Sequence, residues 1–305
     1  LSLWLAAAKV WFVTYWSMKI GITGATGFIG SRVAALCHGG GHETVSFSRR
    51  PGAGARLFRL DSPPDLSGLD AIVNLAGEPI FGLWTAEKRR QIRESRVAGT
   101  QRIVEAIEAM AERPRVLINA SAIGYYGDTG ETLVDESSPA GRGFLADVCR
   151  DWEGEAKRAE SHGVRVVFLR TGFVLGSGGA LKLIGPIFKL GLGGKLGSGS
   201  QWMSGVHVDD VAGIAVWTIE NEGINGPVNA VMPAPFRNSE FTKELARSVA
   251  RPAIIPAPAF ALRLAFGELS NSMLDSCRVA PRVAPQGGYK YRFPTLPEAL
   301  AGAVR

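Results

Sequence analysis

The run Thr23-Gly24-Ala25-Thr26-Gly27-Phe28-Ile29-Gly30 constrains the fold more than any other stretch of the chain. It follows a short apolar segment from Lys19 to Thr23, which contains Gly21, and it opens onto a helical pattern from about Phe28 to His38. Gly24 permits a tight turn, Gly27 lets backbone approach a pyrophosphate, and Gly30 allows a helix to pack close to the strand. The helix N-terminus then offers free N–H groups and a partial positive charge to a diphosphate. Strand, glycine turn and helix in that order read as a dinucleotide-binding unit.

The pattern downstream agrees. Strand-like runs at Glu43 to Ser48, Arg56 to Leu60, Asp70 to Leu75, Val116 to Ala120 and Val164 to Arg170 alternate with helical stretches. The helices are expected at Thr85 to Glu112 and Gly141 to His162. Alternation of this kind implies right-handed crossovers and an α/β fold with a doubly wound parallel sheet of the Rossmann type. After Thr171 the texture shifts to dense glycine from Gly176 to Gly199, with a helix near Leu181 to Leu190, and then to frequent proline. Two amphipathic helices are expected near Asn238–Ala250 and Ala259–Leu269. The expected division is a dinucleotide-binding domain over 18–225, with a glycine-rich insertion at 176–205, and a smaller substrate lobe over 226–305. That lobe would cover the carboxyl edge of the sheet, where such folds bind ligands.

At the end of the second strand, an enzyme using NAD places an acidic residue against the ribose 2′-hydroxyl. Here the strand ends Ser48-Arg49-Arg50. A hydroxyl and a guanidinium suit a 2′-phosphate, and a charge-assisted hydrogen bond contributes about 1.5–3 kcal/mol. The cofactor expected from these residues is NADP(H).

Bulk properties narrow the rest. The 305 residues are 46% hydrophobic and 20% charged, as in a soluble globular enzyme. The net charge of +6 is spread in short groups such as Lys88-Arg89-Arg90, without interleaved aromatics, which argues for a small anionic ligand and against nucleic acid. Cys37, Cys149 and Cys277 are far apart and form no CxxC pair, so neither a disulfide framework nor a metal site is expected, and a reducing cytoplasm is. Residues 1–17 are apolar, with Lys9 as the one charge, but fall short of the roughly 20 residues a membrane span needs. They read as an extension ahead of a start at Met18, with a membrane anchor as the less favoured reading.

Beyond the loop, several stretches carry a resemblance. They are Asn74-Leu75-Ala76-Gly77-Glu78, Glu94-Ser95-Arg96, Gly124-Tyr125-Tyr126-Gly127, Trp152-Glu153, Arg170 to Gly176, Gly191 to Gly199 and Val206-His207-Val208-Asp209-Asp210. With the C-terminal stretch from Arg251 to Leu300, this set resembles the extended short-chain dehydrogenase/reductase superfamily. The nearer likeness is to its epimerase-family oxidoreductases, described as cell-division-inhibitor-like or nucleoside-diphosphate-sugar-epimerase-like. The resemblance implies that Ser48 and Arg49 contact the adenosine phosphate and that Leu75, Ala76 and Gly77 line the nucleotide. It also implies that Arg96 reaches the cofactor, that Val174 lies near the nicotinamide, and that dimers are a common assembly.

The resemblance also implies a catalytic Tyr with a Lys four residues later, and a Ser or Thr holding the substrate oxygen. Lys157 stands in the expected helix, but four residues before it is Glu153, and the hydroxyl position falls on Ala122 with Ser121 one residue away. Three assignments stay open: Glu153 as proton carrier beside Lys157, Tyr125 or Tyr126 as the phenol, or an ordinary Glu153–Lys157 helix pair. His207 reads as structural, in the turn before a helix capped by Asp209 or Asp210. Trp202 and Met203 read as a cover over the substrate. Gly205, where the resembled group has tryptophan, predicts an open pocket wall. The expected function is an NADP(H)-dependent oxidoreductase acting on a small carbonyl or hydroxyl compound. The alternatives are a nucleotide-sugar epimerase and a non-catalytic NADP(H) sensor.

Overall fold

The computed structural model describes residues 17–50, 52 and 54–303. The apolar N-terminal segment expected to precede the fold lies, up to residue 16, outside the described residues. The described chain runs β1 (Lys19–Thr23), α1 (Phe28–Gly39), β2 (Glu43–Ser48), β3 (Arg56–Leu57), β4 (Ala71–Asn74), α2 (Ala86–Ala109) and β5 (Val116–Ala122). A 3-10 turn (Ile123–Tyr126) leads to α3 (Phe144–Lys157), β6 (Arg165–Thr171), β7 (Phe173–Leu175), α4 (Gly179–Lys189), β8 (Trp202–Met203), β9 (Gly205–His207) and α5 (Val208–Glu220). The remainder is β10 (Gly226–Ala230), β11 (Phe236–Arg237), α6 (Asn238–Ser248), α7 (Ala259–Phe266), α8 (Leu269–Leu274), α9 (Val283–Gln286) and α10 (Leu296–Ala303).

Seven strands form one parallel sheet in the order β10-β6-β5-β4-β1-β2-β3. The topology reverses at β1, which places a ligand crevice at the carboxyl ends of β1 and β4. β4 is buried at all four residues, as a central parallel strand covered on both faces must be. One apolar layer, with Ile20, Ile22, Val33 and Ile214, packs α1 and α5 on one face; another, with Ile72, Ile103, Ile107 and Leu117, packs α2 on the other. The sheet extends further than the sequence division allows. Gly226–Ala230 pairs with β6 from Val167 to Thr171, so a strand assigned to the smaller lobe closes the sheet instead. Pro227 obscures it in sequence, yet an edge strand tolerates proline because one side of its ladder is open.

The C-terminal lobe has its own core of Phe188, Phe236, Phe241, Leu245, Leu296 and Leu300. Two buried carboxylates tie it down. Asp210 accepts from Tyr289 Oη and from the backbone N–H groups of Arg292 and Phe293. Glu136 accepts from the N–H groups of Asn229, Arg282 and Val283.

Candidate functional site

The glycine loop forms as its residues dictate. Gly24 has φ +68°, and a Cβ there would lie 3.1 Å from the Leu75 carbonyl. A Cβ on Gly30 would lie 2.1 Å from the Gly24 carbonyl oxygen, so α1 can start where it does only with glycine at that position. Gly27 caps α1 in extended conformation, without a side-chain cap, leaving the first N–H groups of Phe28, Ile29 and Gly30 facing the crevice. The Phe28 ring turns toward Gly176, Gly178 and Gly179, where any side chain would collide with it. That contact joins the loop to the segment following β7, which carries Val174.

Gly21 is the exception among the expected loop residues. It lies inside β1, where a Cβ would come within 2.6 Å of Leu69 and 2.9 Å of Phe47, so the structure gives it a packing role away from the crevice.

Thr23 organises the crevice floor. Its hydroxyl donates to Asn74 Oδ1 at 2.7 Å and accepts from the N–H groups of Leu75 and Ala76. Asn74 Nδ2 donates to Thr100 Oγ1 and Asn119 Oδ1, and Trp152 Nε1 also donates to Thr100 Oγ1. Thr23, Asn74 and Asn119 stand in register on three adjacent strands, so their side chains leave the same face. This fully satisfied buried network fixes how β4 ends at Leu75-Ala76. Arg96 lies beneath Gly77, and its Nη1 donates to the Glu78 and Ile92 carbonyls. Burial lowers its basicity from the ordinary arginine value. At the end of β2, Ser48 accepts from the Arg50 N–H, while Arg49 and Arg50 are exposed.

A second row of aligned residues crosses β5, β6 and β10: Ser121, Arg170 and Asn229. Helix α3 lays Glu153 over that row. Ser121 Oγ donates to Glu153 Oε1 at 2.6 Å, and Arg170 donates from Nε to Oε1 at 2.8 Å and from Nη2 to Oε2 at 2.7 Å. Arg170 Nη1 donates to Tyr126 Oη, which in turn donates to Asn229 Oδ1. The guanidinium also stacks 3.5 Å from the centre of the Tyr125 ring. Glu153 and Arg170 are 7% and 3% exposed, which makes this a fully desolvated pair. Glu153 hydrogen bonds raise the affinity of Arg170 for its proton, against the opposing effect of burial. Burial outweighs the opposing pull of Arg170 and pushes the Tyr126 phenol up to about 12.

This geometry bears on the three open assignments. Glu153 accepts three hydrogen bonds on its two oxygens, from Ser121 and Arg170. Lys157 is exposed at the end of α3, away from the row, and Glu153 pairs with Arg170 and not with it. Lys157 is the last residue of α3, where the chain passes into a 3-10 turn, Arg158–His162, and its side chain is exposed there. The inward pair on α3 is instead Cys149 and Glu153, one turn apart. Cys149 lies against Ser121 and the Ala122 backbone, and burial pushes its thiol up to about 11. Tyr126 is bound at its oxygen, whereas the Tyr125 hydroxyl makes no hydrogen bond among the described residues and its ring is half-buried.

The remaining candidates are placed as follows. His207 itself caps α5, its Nδ1 accepting from the Asp209 N–H, with its ring against Phe293 at 4.0 Å. Burial lowers its pKa. Trp202 is clamped between Arg237 and Arg278 and donates to Glu131, so it forms a rigid wall. Gly205 leaves no opening, because Phe236 occupies the space a Cβ would need, 2.9 Å away. The Thr23–Asn74–Asn119 and Ser121–Arg170–Asn229 rows escaped sequence reading, since each joins residues tens of positions apart.

Comparison with known proteins agrees with this geometry. Residues 20–230 match the NAD dependent epimerase/dehydratase family, and residues 257–303 match DUF1731, a domain of unknown function. The chain is 37% identical over 303 residues to the chloroplastic epimerase family protein SDR39U1 homolog of Arabidopsis thaliana, covering 94% of this chain and 87% of the relative. Epimerase family protein YfhF of Bacillus subtilis is 35% identical, with 94% and 98% covered. The crystal structure of human SDR39U1 with NADPH superposes with a TM-score of 0.90 at 33% identity, covering 94% of this chain and 99% of that one. From the strand order, the glycine loop and these matches together, the chain belongs to the NAD dependent epimerase/dehydratase family and carries a C-terminal DUF1731 domain.

Proposed function

We propose that this protein is an NADP(H)-dependent oxidoreductase acting on a small carbonyl or hydroxyl compound, with Tyr125 as its proton carrier. The observation that carries the reading is the Glu153–Arg170 pair. It engages both carboxylate oxygens of Glu153, whereas the Tyr125 hydroxyl makes no hydrogen bond among the described residues, which supports Tyr125 over Glu153 for the role. The Arg170 guanidinium stacks on the Tyr125 ring and fixes its position beside the row. Ser121, 4% exposed and donating to Glu153, would form the floor beneath the reacting carbon.

NADP(H) as the cofactor is supported by Ser48 with the exposed Arg49 and Arg50, and by the NADPH in the human relative's structure. The family's redox step, transfer of hydride between the nicotinamide and a substrate carbon, is what the bound cofactor would supply. This chain's residues would hold the diphosphate at the Gly24–Gly30 loop, orient the ring beside Val174, and deliver a proton from Tyr125 Oη to the substrate oxygen.

The test uses NADPH deuterated at its transferable position, incubated with the full chain and a metabolite extract. A newly labelled metabolite supports net reduction and identifies the substrate. With NADPH binding intact but no label, net reduction fails, and internal recycling or cofactor sensing takes its place. The absence of a Tyr–Lys pair on α3 is the observation that favours the sensing alternative.

A further inference from the structure

The C-terminal lobe contains a cavity of about 640 Å³ that shares no residue with the crevice. One wall is the outer face of α6, from Ser239 to Arg247, and the other is the segment from Ala250 to Pro256. Four cations line it, Lys195, Lys243, Arg247 and Arg251, and no carboxylate does. Arg247 is paired with Glu244, and Arg251 donates to the Lys189 carbonyl. Lys195 and Lys243 have no anionic partner among the described residues.

A second observation points inward. Thr242 is only 6% exposed and lines the cavity, yet its hydroxyl makes no hydrogen bond among the described residues. The oxygen is not sealed off, since the buried polar atoms without a partner are Arg278 Nε and Tyr291 Oη among the described residues, so the Thr242 hydroxyl is free to meet a group in the cavity. The opposite wall is apolar: Pro252 and Ile254 line it, and Ile254 is 78% exposed.

We propose that this cavity binds a phosphate-headed amphiphile. Its phosphate would take Lys195 and Lys243 as counter-ions and a hydrogen bond from Thr242. Its hydrocarbon part would lie along Pro252 and Ile254. Two unpaired ammonium groups and a hydroxyl match a group carrying more than one negative charge with several acceptor oxygens. Lys195 belongs to the glycine-rich segment that continues to Trp202, with the Leu196 N–H held by Asn238 Oδ1 on α6. Occupancy would therefore brace the segment that shapes the crevice wall.

The chemistry could come from a free phospholipid monomer or from a headgroup in a membrane. The cavity commits to the monomer, because Thr242, which lines it, is only 6% exposed. The experiment titrates the full chain, by calorimetry, with dihexanoyl phosphatidic acid below its micelle concentration and with inorganic pyrophosphate. Phosphatidylcholine vesicles doped with phosphatidic acid form a third arm, read by co-sedimentation. The expected result is saturable binding of the short-chain lipid, about tenfold tighter than pyrophosphate, as burial of roughly two methylene groups provides. The double variant Lys195→Glu, Lys243→Glu should lose that binding while binding NADPH as the parent does, and Thr242→Val should weaken it by several-fold. Equal binding by parent and double variant overturns the site. So does pyrophosphate binding as tightly as the lipid, or capture by vesicles without binding of the monomer.

Discussion

Arg170 clasps both carboxylate oxygens of Glu153, and Ser121 adds a third hydrogen bond from the neighbouring strand. The pair stands where the fold's relatives were expected to carry proton-transfer chemistry, and it is dry. Breaking one partner leaves the other buried and uncompensated, a penalty of about 3–5 kcal/mol. Glu153→Ala and Arg170→Ala should each lose about that much in urea unfolding. The double replacement Glu153→Leu, Arg170→Met should recover most of it, because an apolar pair needs no counter-charge. Additive losses in the double variant would show that the pair is not coupled.

Tyr125 makes the complementary prediction. General acid catalysis by a placed phenol contributes about 10²- to 10⁴-fold. Tyr125→Phe keeps the ring over Arg170 and should reduce turnover of the labelled-NADPH reaction by that range, with NADPH affinity unchanged. A variant as active as the parent would take the proton-carrier role from Tyr125.

Cofactor choice rests on a short polar tip. Arg49→Ala should narrow the preference for NADPH over NADH by about 10- to 100-fold, the loss of one charge-assisted hydrogen bond. Fluorescence titration of both dinucleotides measures it. An unchanged ratio would leave the exposed Arg49 as an ordinary surface residue.

These expectations differ in how directly they follow from sequence. The loop from Thr23 to Gly30 was legible because its chemistry is local: a turn, a capped helix and a close approach specified by three glycines within seven residues. Strand β4 was legible as an unbroken apolar run. The Glu153–Arg170 pair was not, because spacing along α3 gives the separation of Glu153 and Lys157 but not which residue of a distant strand Glu153 meets. Register between β5 and β6 brings Arg170 beside Ser121, beneath Glu153. Gly205 misled for the same reason: its space is filled by Phe236, thirty-one residues later, from a strand visible only as the two residues Phe236–Arg237.

His207 provides a test of stability against pH. Burial lowers its folded pKa below the ordinary 6.5, while neighbouring Asp209 and Asp210 pull the other way. The unfolded chain therefore takes up a proton at higher pH than the folded one does. Its contribution to stability is complete above 6.5 and declines as pH falls through the lowered folded value. Its Nδ1 also caps α5, and protonation would turn that acceptor into a donor facing the Asp209 N–H. His207→Asn replaces the Nδ1 acceptor at the cap with an amide oxygen and removes the titration. Urea midpoints measured at pH about 7.5 and about 5.5 should fall further for the parent than for His207→Asn. An equal fall in both would place the acid sensitivity elsewhere in the fold.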